Sequence, residues 1–505
     1  MLKKKKIKSQ YVLSALEDIC LNGDTYVTED ALYKRCREKQ KLLSYDVFKS
    51  DLGEQIRLGF IHLEGSRIYA KKTWRYEESA AQSLAAILKQ PALPPIALPN
   101  DLTVNGLVLC DEQRAAVELA LSNRLSLILG GAGCGKSTLI RAIINVFGTG
   151  CPSVVCAPTG KAARNLTKRT GLIARTVHSA LGMHPDEDFL APVVWHNMEL
   201  VIVDEASMMT LEMLAGILHR APTSCRVVLL GDPNQLLSVG SGNVLPDLLA
   251  LGIPCARLKS NHRQDKGAEG LLHNVVEFST LYCKQALTMD KSFSLREMDE
   301  HAIQNALTEE AVQRYLAGES VQVLSPFNRA GALSAHTLNK LIRDRVNPLE
   351  HGKLVLVSNH HESFRDGDRV MILQNDRERN CSNGDVGILH ILHVESENAA
   401  FLVELPDGRC PMWDSIGGLE LLSLAYVLTV HKSQGSEYGT ILMPISTVMQ
   451  GMLSRNLFYT AISRARQTVI LFGDKQAVDI AMQKQLPGRK SMLVPKTRMR
   501  LEKCA

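Results

Sequence analysis

The chain has 505 residues, of which 45% are hydrophobic and 22% charged. These are ordinary globular values that exclude wholesale disorder and leave room for about three domains of roughly 150 residues each. Lys plus Arg exceed Asp plus Glu by 58 to 53, and the surplus sits at the ends: residues 1–100 hold 17 basic and 12 acidic side chains, 101–485 hold 35 and 40, and 486–505 hold 6 and 1. Bulk charge therefore supports nucleic-acid contact only weakly.

The first residues, MLKKKKIKSQYVLSALEDIC, follow their lysines with Ser, Gln, Glu and Asp rather than an apolar stretch. No apolar run approaches the ~20 residues that span a bilayer. Neither a signal peptide nor a membrane anchor is expected, and the location expected is cytoplasmic. The 12 cysteines contain no CxxC pair, the nearest approach being Cys151 to Cys156, so neither a zinc site nor a disulfide framework is indicated.

In chain order, residues 9–88 read as short amphipathic helices followed by GFIHLEGSRIYAKKTW. There the alternation about Glu64-Gly65-Ser66 predicts a hairpin, and together these predict a small winged-helix-like unit over 1–90. KQPALPPIALPND, with four prolines between Pro91 and Pro99, predicts a semi-rigid linker over 91–105. From 106 to 260 the short apolar runs LSLILG, SVVCAP, ELVIVDEA and CRVVLLGD alternate with helical stretches, the pattern of buried parallel strands in an α/β domain. Residues 352–418 change to short strands with hairpin turns such as Asn383-Gly384 and Asp407-Gly408, predicting a small barrel inserted into a second α/β domain over 261–351 and 419–485. Residues 486–505 read as a basic tail.

The strongest local signal is Gly130-Gly131-Ala132-Gly133-Cys134-Gly135-Lys136-Ser137, a GxxxxGK[ST] run between the strand LSLIL and the helical TLIRAIINVF. Its glycines let backbone amides turn toward phosphate oxygens, Lys136 neutralises the terminal phosphates, and the Ser137 hydroxyl suits magnesium. Downstream, the strand Leu200–Val203 ends in Asp204 and Glu205. Asp204 suits the same magnesium, directly or through water, and Glu205 suits orientation and deprotonation of an attacking water. Gln235, after the strand RVVLL, is an amide placed where a γ-phosphate can be sensed. These runs imply nucleoside triphosphate hydrolysis and leave open what work it drives.

Four runs in order, DEAS at 204–207, GDPNQL at 231–236, TVHKSQGSE at 429–437 and YTAISRAR at 459–466, make the chain resemble superfamily 1 helicases, specifically the RecD-like group. The resemblance covers about residues 105–475, and the N-terminal unit more weakly. It implies two RecA-like motor domains, 1A (106–260, with a small pin insertion at about 182–199) and 2A (261–351 and 419–485), and an SH3-like insertion 2B (352–418). GDRVMILQND and NGDVGIL carry the likeness of the insertion. ATP and Mg2+ are the implied ligands. Nucleotide-binding residues are Gln113 for adenine, Gly131, Ala132, Gly133, Cys134, Gly135, Lys136, Ser137 and Thr138 for phosphates, and Glu437 for ribose.

Arg263 in SNHRQ and Arg464 in AISRAR match the two arginines that reach the γ-phosphate from the second motor domain, a finger contact worth roughly a thousand- to hundred-thousand-fold in rate. The implied strand contacts are Pro158, Thr159, Lys161, Thr176 and His178 on one domain and Ser325, Pro326, Thr429, His431 and Lys432 on the other. Such hydroxyls, amides and scattered cations suit a phosphate backbone without reading sequence. A separating pin would offer Phe189 and Trp195. No long region of the kind larger RecD-like helicases carry precedes the N-terminal unit, so no accessory duplex-binding role is expected from one.

The function implied is an ATP-dependent DNA helicase moving 5′ to 3′ along single-stranded DNA at a duplex fork, with loading, repair or recombination partners. The motifs alone also admit an RNA motor, a protein-displacing translocase, or a nucleic-acid-stimulated ATPase sensor without unwinding. The two basic ends are read either as solvated tails or as grips on duplex phosphates.

Overall fold

The computed structural model describes residues 11–91, 93–94, 96–99, 101–148, 150–183, 187–191, 195–259, 267–279, 287–329, 331–395 and 398–502. Two parallel sheets dominate. The first has six strands in the order Cys255–Leu258, Leu125–Gly130, Arg226–Gly231, Leu200–Val203, Ser153–Ala157 and Ala174–Thr176. Its central strands read LSLILG, LVIV and RVVLLG and are buried almost throughout, as helices covering both faces require. The second has five strands in the order Phe293–Glu297, Ala465–Gly473, Tyr438–Ile445, Val321–Ser325 and Val427–Thr429, again all parallel.

Between the fourth and fifth of these in space, the chain leaves to form a five-stranded antiparallel sheet. Its order is Met412–Trp413, Asn398–Glu404, Val386–Glu395, Arg369–Ile372 and Leu422–Leu424. A separate hairpin, Val355–Val357 with Ser363–Arg365, shares its core through Leu356 and Phe364.

At the N-terminus the helices Tyr11–Leu21, Glu29–Lys39 and Tyr45–Arg57 and the hairpin Ile61–Glu64 with Arg67–Ala70 enclose a core of Leu16, Leu32, Phe48, Leu52, Ile61 and Ile68. The hairpin turns at Gly65-Ser66, where the alternation placed it. The helix Lys71–Lys89 then buries Tyr76, Ala80, Ala81 and Leu84 in the core of the first parallel sheet, fastening the unit to it.

Two expectations are corrected here. The basic C-terminal stretch is not a solvated tail through residue 502: Leu493–Glu502 is a helix packed on Lys71–Lys89. Lys496 lies buried 3.3–3.4 Å from the carboxylates of Glu64, Glu77 and Glu78, Arg500 pairs with Glu78, and Arg489 donates to the Gly242 carbonyl at 2.8 Å. Of the charge that looked free in the chain, Lys496 and Arg500 meet acids of the N-terminal unit, while Arg489 and Arg498 are held by neutral oxygens. Phe189, offered as a pin aromatic, is buried edge-on to Tyr76 and His178, while Trp195 packs half-buried on the same core. The remainder of that stretch, 184–186 and 192–194, lies outside the described residues, as do Lys3–Lys6, Lys8 and Lys503.

Candidate nucleotide and strand site

The buried strand Leu125–Gly130 delivers the glycine run to the C-terminal edge of the first sheet, and Lys136 opens the helix Lys136–Phe147. Gly133 and Gly135 have φ of +84° and +79°, a conformation that a side chain at either position would disfavour. The Lys136 ammonium donates to the carbonyls of Gly130 (2.6 Å) and Gly131 (2.8 Å).

Three acids surround this lysine at the ends of neighbouring strands. Asp204 is buried and accepts the Glu205 N–H at 2.9 Å. Burial and the Glu205 charge push its carboxyl upward, and Lys136 opposes them. Glu205 adopts φ +53°, a strained setting for a residue with a side chain. Asp232 is buried too and is pushed up by desolvation against the pull of Lys136; its Oδ2 accepts the Tyr459 hydroxyl at 2.6 Å.

Residues of both sheets line one cavity of about 390 Å3. Gly133–Thr138, Asp204, Glu205 and Gln235 come from the first, and Gly435, Glu437, Ser463 and Arg464 from the second. Gln235 is 2% exposed, and its Oε1 has no hydrogen-bond partner among the described residues. Arg464, 4% exposed, meets neutral oxygens of Thr460, Ser436 and Ser463 at 3.3–3.4 Å. Main-chain and side-chain bonds tie the two halves: Leu236 N–H to Thr460 Oγ1 (2.8 Å), Gln434 Nε2 to Leu236 O (3.0 Å) and Asn456 Nδ2 to Asn234 O (3.0 Å).

Other expected nucleotide residues lie less directly. Gly131 borders an adjoining cavity with Asp232 and Tyr459. Gln113 is buried rather than exposed, and its Oε1 accepts the Cys110 N–H at 3.2 Å in a capping box, outside the lining of the larger cavity. Arg263 falls outside the described residues.

The expected strand residues divide. Adjacent parallel strands Ser153–Ala157 and Ala174–Thr176 end side by side, bringing together Thr159 and Thr176. Each hydroxyl caps a helix, accepting Ala162 N–H (3.2 Å) and Ser179 N–H (3.1 Å). Lys161 lies against the Gly384 turn of the inserted sheet, and His178 is exposed. Thr429 and Lys432 border a cavity of about 240 Å3 between the second sheet and the insertion, together with Arg329, Lys340 and Arg343. His431, half-buried, precedes Lys432. Pro158, Ser325 and Pro326, by contrast, are buried. The Ser325 hydroxyl is spent on its own loop, donating to Leu333 O at 2.7 Å and accepting Phe327 N–H at 3.1 Å.

The motifs point to Lys161 on the helix Gly160–Thr170 but not to Arg164, Asn165 and Arg169 further along it. Arg164 reaches Ser382 and Asp385 of the insertion, Asn165 donates to Gly435 O, and Arg169 pairs with Glu437 at 2.8 Å. Thr159 before it, Gly171 after it and a basic last turn mark this helix in the sequence, but these are common end signals that say nothing of what its face meets.

Three family models match: an AAA domain over residues 108–278, a UvrD-like helicase C-terminal domain over 424–472, and the SH3 domain of ATP-dependent RecD-like DNA helicases over 338–404. The ATP-dependent RecD2 DNA helicase of Deinococcus radiodurans is 34% identical over 452 residues, covering 86% of this chain. The chain is similar to the RecD-like superfamily 1 helicases over these segments.

This RecD-like chain spans 59% of the length of the Deinococcus relative. It is 28% identical over 468 residues to the RecBCD enzyme subunit RecD of Mycolicibacterium smegmatis, covering 84% of this chain and 81% of that one. Among solved structures, a Bacteroides Pif1 bound to single-stranded DNA has a TM-score of 0.46 at 20% identity, covering 76% of this chain and 95% of that one. Among the described residues no helix is long and apolar enough to cross a membrane.

Proposed function

We propose that this chain is an ATP-hydrolysing motor that moves 5′ to 3′ along single-stranded DNA and separates duplex at a fork. The observation that carries the reading is the cavity itself. Among the described residues, one half presents Lys136, Asp204, Glu205 and a buried Gln235 Oε1 without a hydrogen-bond partner, and the other presents Arg464 held by neutral oxygens. The two cations call for an anionic ligand spanning both halves, and the Gln235 Oε1, an acceptor, calls for a donor such as the attacking water.

Lys136 leaves its two loop carbonyls for the terminal phosphates, and Glu205 takes the proton of the attacking water. Arg464, joined by Arg263 in the role the family resemblance assigns it, stabilises charge that develops on the γ-phosphate. Gln235 registers whether that phosphate is present. The Ser137 hydroxyl and the Asp204 carboxylate are hard oxygen donors that fit Mg2+, which supplies charge neutralisation between phosphate oxygens. Gln113 and Glu437 take adenine and ribose. Because the cavity belongs to both sheets, hydrolysis follows their closure, and Thr159, Lys161, Thr176, His178, Thr429, His431 and Lys432 convert closure into advance along the strand.

Hydrolysis measured with and without single-stranded DNA or RNA, then unwinding of forks with a 5′ or a 3′ tail, tests this reading. Strong stimulation by DNA and unwinding from the 5′ tail alone are expected. Equal hydrolysis with no nucleic acid present overturns it, and greater stimulation by RNA replaces DNA as the track.

A further inference from the structure

The helix Gly160–Thr170 starts beside Thr159 on the strand side and ends at the mouth of the nucleotide cavity, where Asn165 and Arg169, one turn apart on the same face, meet the 435–437 loop of the opposite sheet. There the two oxygens of Glu437 are shared between two guanidiniums from different halves of the molecule. Arg169 Nη2 lies 2.8 Å from Oε1, while Arg466 reaches Oε2 with Nη2 at 2.9 Å and Nε at 3.0 Å. Arg169 and Glu437 both line the cavity.

We propose that Arg169 is a positioning residue that sets the sugar specificity of the site, by holding the Glu437 carboxylate in the plane that accepts the ribose hydroxyls. The inference rests on the reading that Glu437 takes the ribose. A carboxylate has about four lone-pair directions, so guanidinium and hydroxyl contacts are compatible on one group. A single guanidinium, however, prefers both oxygens at once through its two parallel N–H groups. Without Arg169, Arg466 draws Oε1 as well as Oε2, and the carboxylate turns away from the nucleotide. Because Arg169 belongs to the first sheet and Glu437 to the second, the carboxylate is correctly set only when the halves are together. Sugar recognition is thereby tied to closure.

The test compares KM for ATP and for 2′-deoxy-ATP, at saturating single-stranded DNA, in the full chain, Arg169→Gln and Glu437→Gln. A hydrogen bond to a charged group is worth enough to change affinity by about tenfold or more. Arg169→Gln is therefore expected to raise KM for ATP about tenfold and leave KM for 2′-deoxy-ATP in place, erasing discrimination between them. If Arg169 merely staples the cleft, both KM values rise together and the ratio survives, which overturns the inference. Glu437→Gln separates the two layers of the argument. Loss of discrimination there with retention in Arg169→Gln defeats the role of Arg169 alone, whereas retention in Glu437→Gln defeats the ribose reading beneath it. A thermal melt of each variant confirms folding, as expected with the Arg169 side chain 44% exposed.

Discussion

Two lysines of this chain sit among acids and oxygens and have opposite fates. Lys496 is 2% exposed, lies within 3.3–3.4 Å of Glu64, Glu77 and Glu78, and has its ammonium over the rings of Tyr69 (5.0 Å) and Trp74 (5.6 Å). Every charge it needs is supplied by the chain. Lys136 has loop carbonyls as its hydrogen-bond acceptors, with Asp204 and Asp232 near enough to feel its charge while burial drives both carboxyls toward neutrality. The first cluster balances its cation with acids of the chain and holds the fold together, whereas the second gives its cation neutral hydrogen-bond acceptors that a ligand can replace. The clasp and the cleft therefore use similar residue types for stability and for chemistry.

The comparison breaks most visibly at the clasp. Lys496→Met leaves three carboxylates facing a buried side chain with no cation, and removing one partner of a buried ion pair costs about 3–5 kcal/mol. Thermal melting is expected to drop steeply, with ATP hydrolysis per folded molecule retained at low temperature. A melt unchanged from wild type would show that the glutamates are solvated and that no clasp exists. At the cleft the outcome inverts. Lys136→Ala is expected to lower hydrolysis about a hundred- to a thousandfold, in line with loss of one preorganised donor at a charge-developing site, and to leave the melt in place. Steady-state hydrolysis beside a melting curve reads both, and a Lys136→Ala protein that hydrolyses normally would remove the cavity from the reaction.

The same contrast explains what could be read without coordinates. The phosphate loop was legible because its backbone demands fix glycines at set offsets beside a strand and a helix, and Gly133 and Gly135 do take positive φ. The alternation around Gly65-Ser66 was legible because a hairpin repeats every two residues. Long-range pairing leaves no such period. Asn165 and Gly435 are 270 residues apart, and Met492 donates to a Glu77 carboxylate 415 residues earlier, so nothing local in the sequence marks the contacts of the 160–170 helix, and the C-terminal cations read as a tail. Ser325 was read from its motif as a strand contact, yet its hydroxyl closes its own loop. Phe189 is an aromatic that the pin position offers to a duplex, whereas in the fold Tyr76 and His178 pack against it.

A smaller effect sharpens the boundary between the two regions. Asp247, on the helix Val244–Ala250, is 8% exposed, and its Oδ2 has no hydrogen-bond partner among the described residues. Burial pushes its carboxyl up to about 6, Glu77 adds to the shift, and Ser491 of the C-terminal segment opposes it. The folded chain therefore holds this proton more tightly than the unfolded chain, whose aspartate titrates near 4. Stability contributed here is full below about pH 4 and is lost as pH rises through about 6, reaching up to about 3 kcal/mol. Asp247→Asn removes that dependence while keeping the shape. Its melting temperature is expected to match wild type near pH 4 and to exceed it progressively toward pH 7, the difference levelling off above the folded pKa. Parallel melting curves across that range would mean the carboxylate is charged and satisfied in the folded chain. Asp204 is raised by the same desolvation, with the Glu205 charge beside it. In the proposed nucleotide site Mg2+ and phosphates relieve that cost, whereas at Asp247 no such ligand is proposed.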